Sequence, residues 1–275
     1  MGNMEFSIPN YFSTTMFSAF DESKIVNATV GISNLLNRDE KKLINFEQTI
    51  TASGLNYITI NLGKTITIDS FFLQNFSQSN ISRLAIQYND SLGSFKSFNL
   101  ANSDTTTAIW TATGMISGDF LGILSSQTQT DKFYVVWLLT TTAGSVGSVW
   151  LGHLGLNGSI FQFSKNPAYD AFIPKLNSKQ FLHQASDGGE IKYKIQDNYR
   201  VSIDQEFVSE SEKTNLKTFY DLTTPFTFIP NPTGTSWDGK IYEVNWMNNW
   251  EFDTYSSNVR GNGYSGNIEL AETPK

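Results

Sequence analysis

The sequence predicts a mainly β protein: a sandwich or jelly roll followed by a second β-rich part that carries one α-helix. Three observations carry this. In YITINLGKTITIDSFFLQNF (57–76), Ile58, Ile60 and Leu62 alternate with Thr59 and Asn61, and Ile66 and Ile68 resume the alternation after Gly63. A side-chain period of two is that of a strand with one buried and one wet face. Aromatics reach 14% while charged residues stay at 16%, so the polar faces are built from Ser, Thr, Asn and Gln, which suit strands better than exposed helices. Only one stretch, 210–221, has a helical stripe.

Residues 1–20 are aromatic and polar around Pro9 and read as a lead-in arm or first strand. The stretch 33–45, with Leu35, Leu36 and an RDEKK patch, reads as a loop with one helical turn. Gly63 and Lys64 read as a turn between two antiparallel strands, 57–62 and 65–73. Phe71, Phe72 and Leu73 are consecutive apolar residues, which suits a strand covered on both sides. Further strands are expected at 83–88, 94–99, 108–112, 132–140 and 149–156, with turn residues between them.

The composition shifts after Gly158. Pro167 and Pro174 mark 161–179 as a linker, separating a domain over 1–160 from one over 180–275. EIKYKI (190–195) and YRVSIDQEF (199–207) alternate cleanly and predict two strands. Ser209 with Glu212 has the spacing of a capping box, and Leu216, Phe219 and Tyr220 form one apolar stripe behind it. The helix ends before Pro225, because the residue preceding a proline leaves the α region. Strands resume at 226–229, 241–246 and 268–270.

Charge and composition exclude several functions. The net charge is −7, spread as −3 over 1–160 and −4 over the rest, without a basic run to hold phosphates, so no direct nucleic-acid binding is expected. The chain has no cysteine, which removes disulfide scaffolds and thiol chemistry. MGNMEFSIPNYF lacks the basic and apolar segments of a signal peptide, and the apolar runs are too short to span a bilayer. Synthesis in a cytoplasm without membrane insertion is the expectation.

No catalytic, cofactor or metal constellation emerges, and the chain is expected not to be an enzyme. Gly261, Gly263 and Gly266 satisfy GxGxxG, but no helix follows, so a tight glycine turn is expected. His153 and His183 lack metal-ligand spacing, and His183 near Ser186 and Asp187 has no nucleophile elbow. The DGGE run at 187–190 reads as hairpin chemistry rather than a calcium loop. Trp246 and Trp250, in the densest aromatic cluster, are candidate subunit-interface anchors. Trp110, near a Thr-rich loop, is the candidate sugar contact.

Two resemblances extend this reading. From 26 to 158, the run 57–76 with RLAIQYND, KFYVVWLL and VWLGHLGLNG resembles the galactose-binding-like jelly roll of the discoidin type. From 180 to 274, LHQASDGGEIKYKI, VSESEKTNLKTFYDLTTPFTFIPNP, WDGKIYEVNW and GYSGNIELAET resemble a domain of tail-tip (distal or minor tail) proteins of long-tailed bacteriophages. That second resemblance implies a tail-tube-like fold and a structural virion protein of the tail tip or baseplate. It also implies a ring around the tail axis, six copies favoured over three, beside tail-tube and hub proteins. A host-surface glycan is a further implied partner. The alternative is a carbohydrate-binding module or adhesin with no structural role.

Overall fold

The computed structural model describes residues 4–7, 17–18, 43–49, 55–89, 94–101, 107–111, 118–138, 146–158, 160–165, 175–184, 189–230, 241–258 and 261–273. In chain order the strands begin with β1 (Glu5–Ser7), β2 (Phe17–Ser18), β3 (Ile44–Thr49), β4 (Leu55–Ser79), β5 (Arg83–Asn89) and β6 (Phe95–Ser97). Next come β7 (Ile109–Thr111), β8 (Gly118–Leu138), β9 (Val146–Leu151), β10 (His153–Asn157) and β11 (Ile160–Gln162). Then follow β12 (Lys175–Gln184), β13 (Glu190–Val208), helix α1 (Glu210–Tyr220), β14 (Phe226–Ile229), β15 (Tyr242–Trp246), β16 (Phe252–Asn258) and β17 (Gly261–Glu272). The fold is mainly β, with two antiparallel sheets and one helix among the described residues. The chain divides into two compact units: 1–2, 7–160 and 229–241 form one, and 3–6, 161–228 and 242–275 form the other.

The first unit is a nine-stranded sheet ordered β3-β9-β4-β8-β5-β6, with β2 and β10 on β4 and β7 on β5. Its spine is the pairing of β4 with β8. The sequence reading puts a turn at Gly63 and Lys64, but β4 runs straight through. Ile60 and Ile66, on either side of the interruption, face Phe133 and Thr130 of the same strand. The interruption is a β-bulge: Gly63 takes a left-handed φ of 71°, and its N–H donates to Asn61 Oδ1 at 3.0 Å. Glycine chemistry serves a bulge as well as a hairpin, which is why the two look alike in sequence.

Ile60, Leu62, Ile66, Ile68, Phe71 and Leu73 of β4 pack with Phe120, Phe133 and Val135 of β8 in the main core. Phe71 sits 5.4–5.7 Å from the rings of Phe98, Phe120 and Phe133. Phe72 belongs to a second cluster, with Leu121, Ile123, Ile229 and Ile241, so the 71–73 block is covered on both faces as its composition predicts. Two glycines make these rings fit. Gly122 pairs with Phe71 and Gly155 with Phe72, and a Cβ added there would lie 2.6 Å and 2.0 Å from the partner rings. Each phenylalanine covers the bare backbone of the neighbouring strand.

The second unit is an eight-stranded sheet ordered β11-β1-β14-β15-β17-β13-β12, with β16 also on β17. The expected arm or first strand at 1–20 contributes β1, which lies inside this sheet rather than in the first. Phe6 on β1 is fully buried, with the rings of Phe161, Phe163, Phe219, Phe226, Phe228 and Trp246 centred 4.9–6.5 Å away. The stretch 161–179, read as a linker from its prolines, begins and ends in strands, and Phe161 and Phe163 are core residues. Gln162 Nε2 donates to Glu5 Oε1 at 3.0 Å, and the Phe163 N–H donates to the Met4 carbonyl at 3.0 Å. Both prolines, Pro167 and Pro174, lie outside the described residues.

The two strands expected at 190–195 and 199–207 are one strand, β13, with a register shift between Gln205 and Val208, where Phe207 takes a φ of 61°. Helix α1 matches its sequence signals closely. Ser209 Oγ accepts from the Glu212 N–H at 3.2 Å, and Glu212 Oε2 accepts from the Ser209 N–H at 3.0 Å. Leu216 and Phe219 are its buried residues. The loop read at 33–45 lies outside the described residues except for its last three positions.

Candidate functional site

Trp246 ends β15, and Trp250 lies in the segment that leads into β16. The structure brings them together, with ring centroids 5.7 Å apart and both side chains half-buried. Tyr220, which the sequence reading puts in the helix stripe, and Phe252, which it puts in the same aromatic cluster as the two tryptophans, complete the site. Tyr220, at the end of α1, is 5.7 Å from Trp246 and 5.4 Å from Trp250, and Phe252 is 4.7 Å from Trp250. The Lys217 ammonium lies 4.9 Å from the centre of the Tyr220 ring and forms an ion pair with Asp221 one turn on. Beside the rings, Met247 is 54% exposed. Tyr220 was legible as a helix-stripe residue, but its i+26 and i+30 partners have no local signal.

The backbone around this cluster explains its shape. Asn248 stands between β15 and β16 and replaces a strand rung with its side chain. Its Nδ2 donates to the Asn267 carbonyl at 2.8 Å, and its Oδ1 accepts from the Glu269 N–H at 2.9 Å. Gly266 faces Phe252, and a Cβ there would come within 2.6 Å of the Glu251 carbonyl oxygen. Trp246 Nε1 is buried without a hydrogen-bond partner among the described residues. An aromatic surface of this kind binds by apolar contact and ring stacking.

Trp110 does not sit where a sugar could reach it. It is 3% exposed and packs edge-on against Phe120 at 4.7 Å in the main core of the first unit. The Thr-rich neighbourhood suggested an exposed loop, but the tryptophan itself is in β7, paired with β5 through Leu84. The GxGxxG glycines lie in β17, so the expected tight turn is instead a paired strand facing β16. His153 and His183 are in β10 and β12, while Ser186 and Asp187 lie outside the described residues. Among the described residues no group of three or more His, Cys, Asp or Glu could hold a metal ion, and no helix is long and apolar enough to cross a membrane.

Two carboxyls are displaced from their ordinary acidity, and the fold accounts for both. Burial raises the Glu212 carboxyl, but the hydrogen bonds it accepts from Ser164 and Ser209 outweigh this and hold it below the ordinary value of 4.5. Glu272 is raised by burial and by the nearby Glu243 charge, against the opposing pull of the Tyr199 N–H, which donates to its Oε2 at 3.1 Å. Tyr242 is raised by burial, then by Tyr199 and Glu272. These are a helix cap and a strand-end contact rather than a reacting pair.

No family model matches the chain, and no curated protein matches it. Solved structures do. A chitosan-binding module from a Paenibacillus sp. IK-5 chitosanase/glucanase aligns at 15% identity over 55% of this chain and 99% of its own, with a TM-score of 0.38. A Clostridium perfringens module, CpGH89CBM32-6, aligns at 10% identity over 55% and 99%, with a TM-score of 0.37. The family 32 carbohydrate-binding module of Clostridium perfringens NanJ, solved with galactose, aligns at 12% identity over 56% and 98%, with a TM-score of 0.35. At these identities and scores each resemblance describes those modules, and this chain's ligand does not follow from it.

Proposed function

We propose that the chain is a non-catalytic binding protein whose first unit recognises glycans. One observation carries the reading. The four segments that resemble a galactose-binding-like jelly roll become β4, β5, β8 and the β9–β10 pair, and all of them hydrogen-bond into one sheet and contribute to the main core. The sugar contact is not Trp110, whose ring is enclosed. The test is a glycan array probed with the full chain, followed by competition with free hexoses. Saturable binding that a hexose displaces is expected, and it should survive Trp110→Phe. An absence of binding across neutral and amino sugars at millimolar concentration would overturn the reading.

A second reading is favoured by a separate observation. From β12 onward the second unit runs β12, β13, α1 and then β14 to β17, strands on either side of one capped helix, the order that its resemblance to tail-tip proteins implies. On this reading the protein assembles as a ring in the virion of a long-tailed bacteriophage, six copies favoured over three, with tail-tube and hub proteins as neighbours. Trp246 and Trp250 then serve as interface anchors. Electron-microscopic class averages of the purified full chain would display closed rings. Dispersed single particles at every concentration would remove this reading.

A further inference from the structure

Strand β12 pairs with β13 from Lys175 opposite Arg200 to Gln184 opposite Glu190, whereas β17 meets β13 only from Arg200 onward. Over 190–199 the pair is therefore a two-stranded ribbon, and among the described residues neither of its outer edges has a strand partner. A two-stranded ribbon is marginal in water by itself, and open edges recruit another chain unless guarded. This one carries exposed apolar side chains, Leu176 and Leu182 on β12 being 53% and 64% exposed, beside exposed charges at Lys175, Glu190 and Lys192. The ribbon is also the wrong sign for the molecule. Residues 175–199 hold four lysines against three acidic residues in a chain of net charge −7.

The same sheet has an open edge of the opposite character. Among the described residues strand β16 pairs only with β17, and Glu251 and Asp253, at the start of that strand, are both exposed. Lys175 and Lys192 of the ribbon are likewise exposed. We propose that the β12–β13 ribbon docks on a second copy of this chain, its β12 edge adding as a strand to the β16 edge of that copy. Main-chain hydrogen bonds would supply the affinity, and the lysine–carboxylate match would set the direction. Because the two edges differ, the contact is head-to-tail and repeats from copy to copy, closing into a ring at one angle. This deepens the self-assembly reading and rests on it, and it is independent of any glycan.

The chain's lack of cysteine makes the test clean. Leu182→Cys and Thr254→Cys are made separately in the full chain, each at an exposed position, and their thermal midpoints are compared with the parent. Mixed one to one under mild oxidation, they should give a disulfide-linked pair at least tenfold above either variant alone, with a yield that falls in high salt. Cross-linking of Leu182→Cys with itself would overturn the proposal in favour of ribbon meeting ribbon. Absence of any adduct, in a chain that still sediments as an oligomer, would overturn the contact while leaving self-assembly standing. A chain that sediments as a monomer throughout would sink both.

Discussion

The two units bury comparable aromatic cores in opposite ways. In the first, Phe71 meets Phe98, just past β6, and Phe120 and Phe133 on the neighbouring strand β8, all within one continuous stretch of sequence. In the second, Phe6 meets rings that begin at Phe161, so its core closes only when a strand from the far end of the chain is inserted. The first core rests on strand alternation and on glycines placed under rings. The second rests on one side chain that touches both the sheet and the helix. Burial alone would rank them equal, but their tolerance to substitution should differ sharply.

The largest expected effect comes from Phe6→Ala, which empties the centre of the second core. A loss of about 3–5 kcal/mol is expected for that unit, read as an early loss of tryptophan fluorescence in urea. The unfolding signal of the first unit should stay in place. Equal movement of both signals would erase the contrast between the units.

Next come the glycines of the first unit. Gly155→Ala and Gly122→Ala push a methyl into the Phe72 and Phe71 rings and should cost about 1–3 kcal/mol. Gly155 should be the worse of the two, since its approach is closer. Phe72→Leu should relieve Gly155→Ala specifically, a coupling that a double-mutant cycle in denaturant would read.

Ser209→Ala removes the cap of α1 and should lower the second unit by about 1 kcal/mol, seen as a shift in its urea midpoint. The smallest effect is expected from Glu272→Gln. Because the folded-state pKa of Glu272 lies above the ordinary value of 4.5, folding favours its protonated form. The contribution of Glu272 to stability is therefore greatest below pH 4.5, falls as pH rises through its folded pKa, and stays reduced at neutral pH. The glutamine keeps an acceptor for the Tyr199 N–H without the charge. It should raise the melting temperature at pH 7 and lose that advantage below pH 4, as melts across the range would record.

Much of this fold was legible in the sequence because its signals are local. The capping box at Ser209 and Glu212 is a three-residue pattern, and it appears in the structure hydrogen bond for hydrogen bond. The alternation in β4 was equally plain. What failed were distinctions that local pattern does not encode. A glycine with a left-handed φ ends a strand in a hairpin or merely bulges it, and only the shared partner β8 tells the two apart. Phe161 and Phe163 sit near prolines and read as linker, yet they pack on Phe6, more than 150 positions earlier. Trp110 illustrates the same limit: composition placed it near a polar loop, while pairing with β5 turned it inward. The candidate site divides likewise, since Trp246, Trp250 and Phe252 lie close together in sequence, whereas Tyr220 joins them through tertiary packing.

The position of β1 also imposes an order of events during synthesis. A ribosome adding about 5–20 residues per second makes Phe6 first and its Phe161 to Trp246 partners last. For several seconds to most of a minute the nascent chain carries Met4 and Phe6 without the sheet that will shelter them, while the first unit already has most of its own strands. Contacts of such long sequence separation form slowly. Strand β1 is thus a waiting piece, exposed to chaperones or to a neighbouring nascent chain until Phe161 to Trp246 have been made.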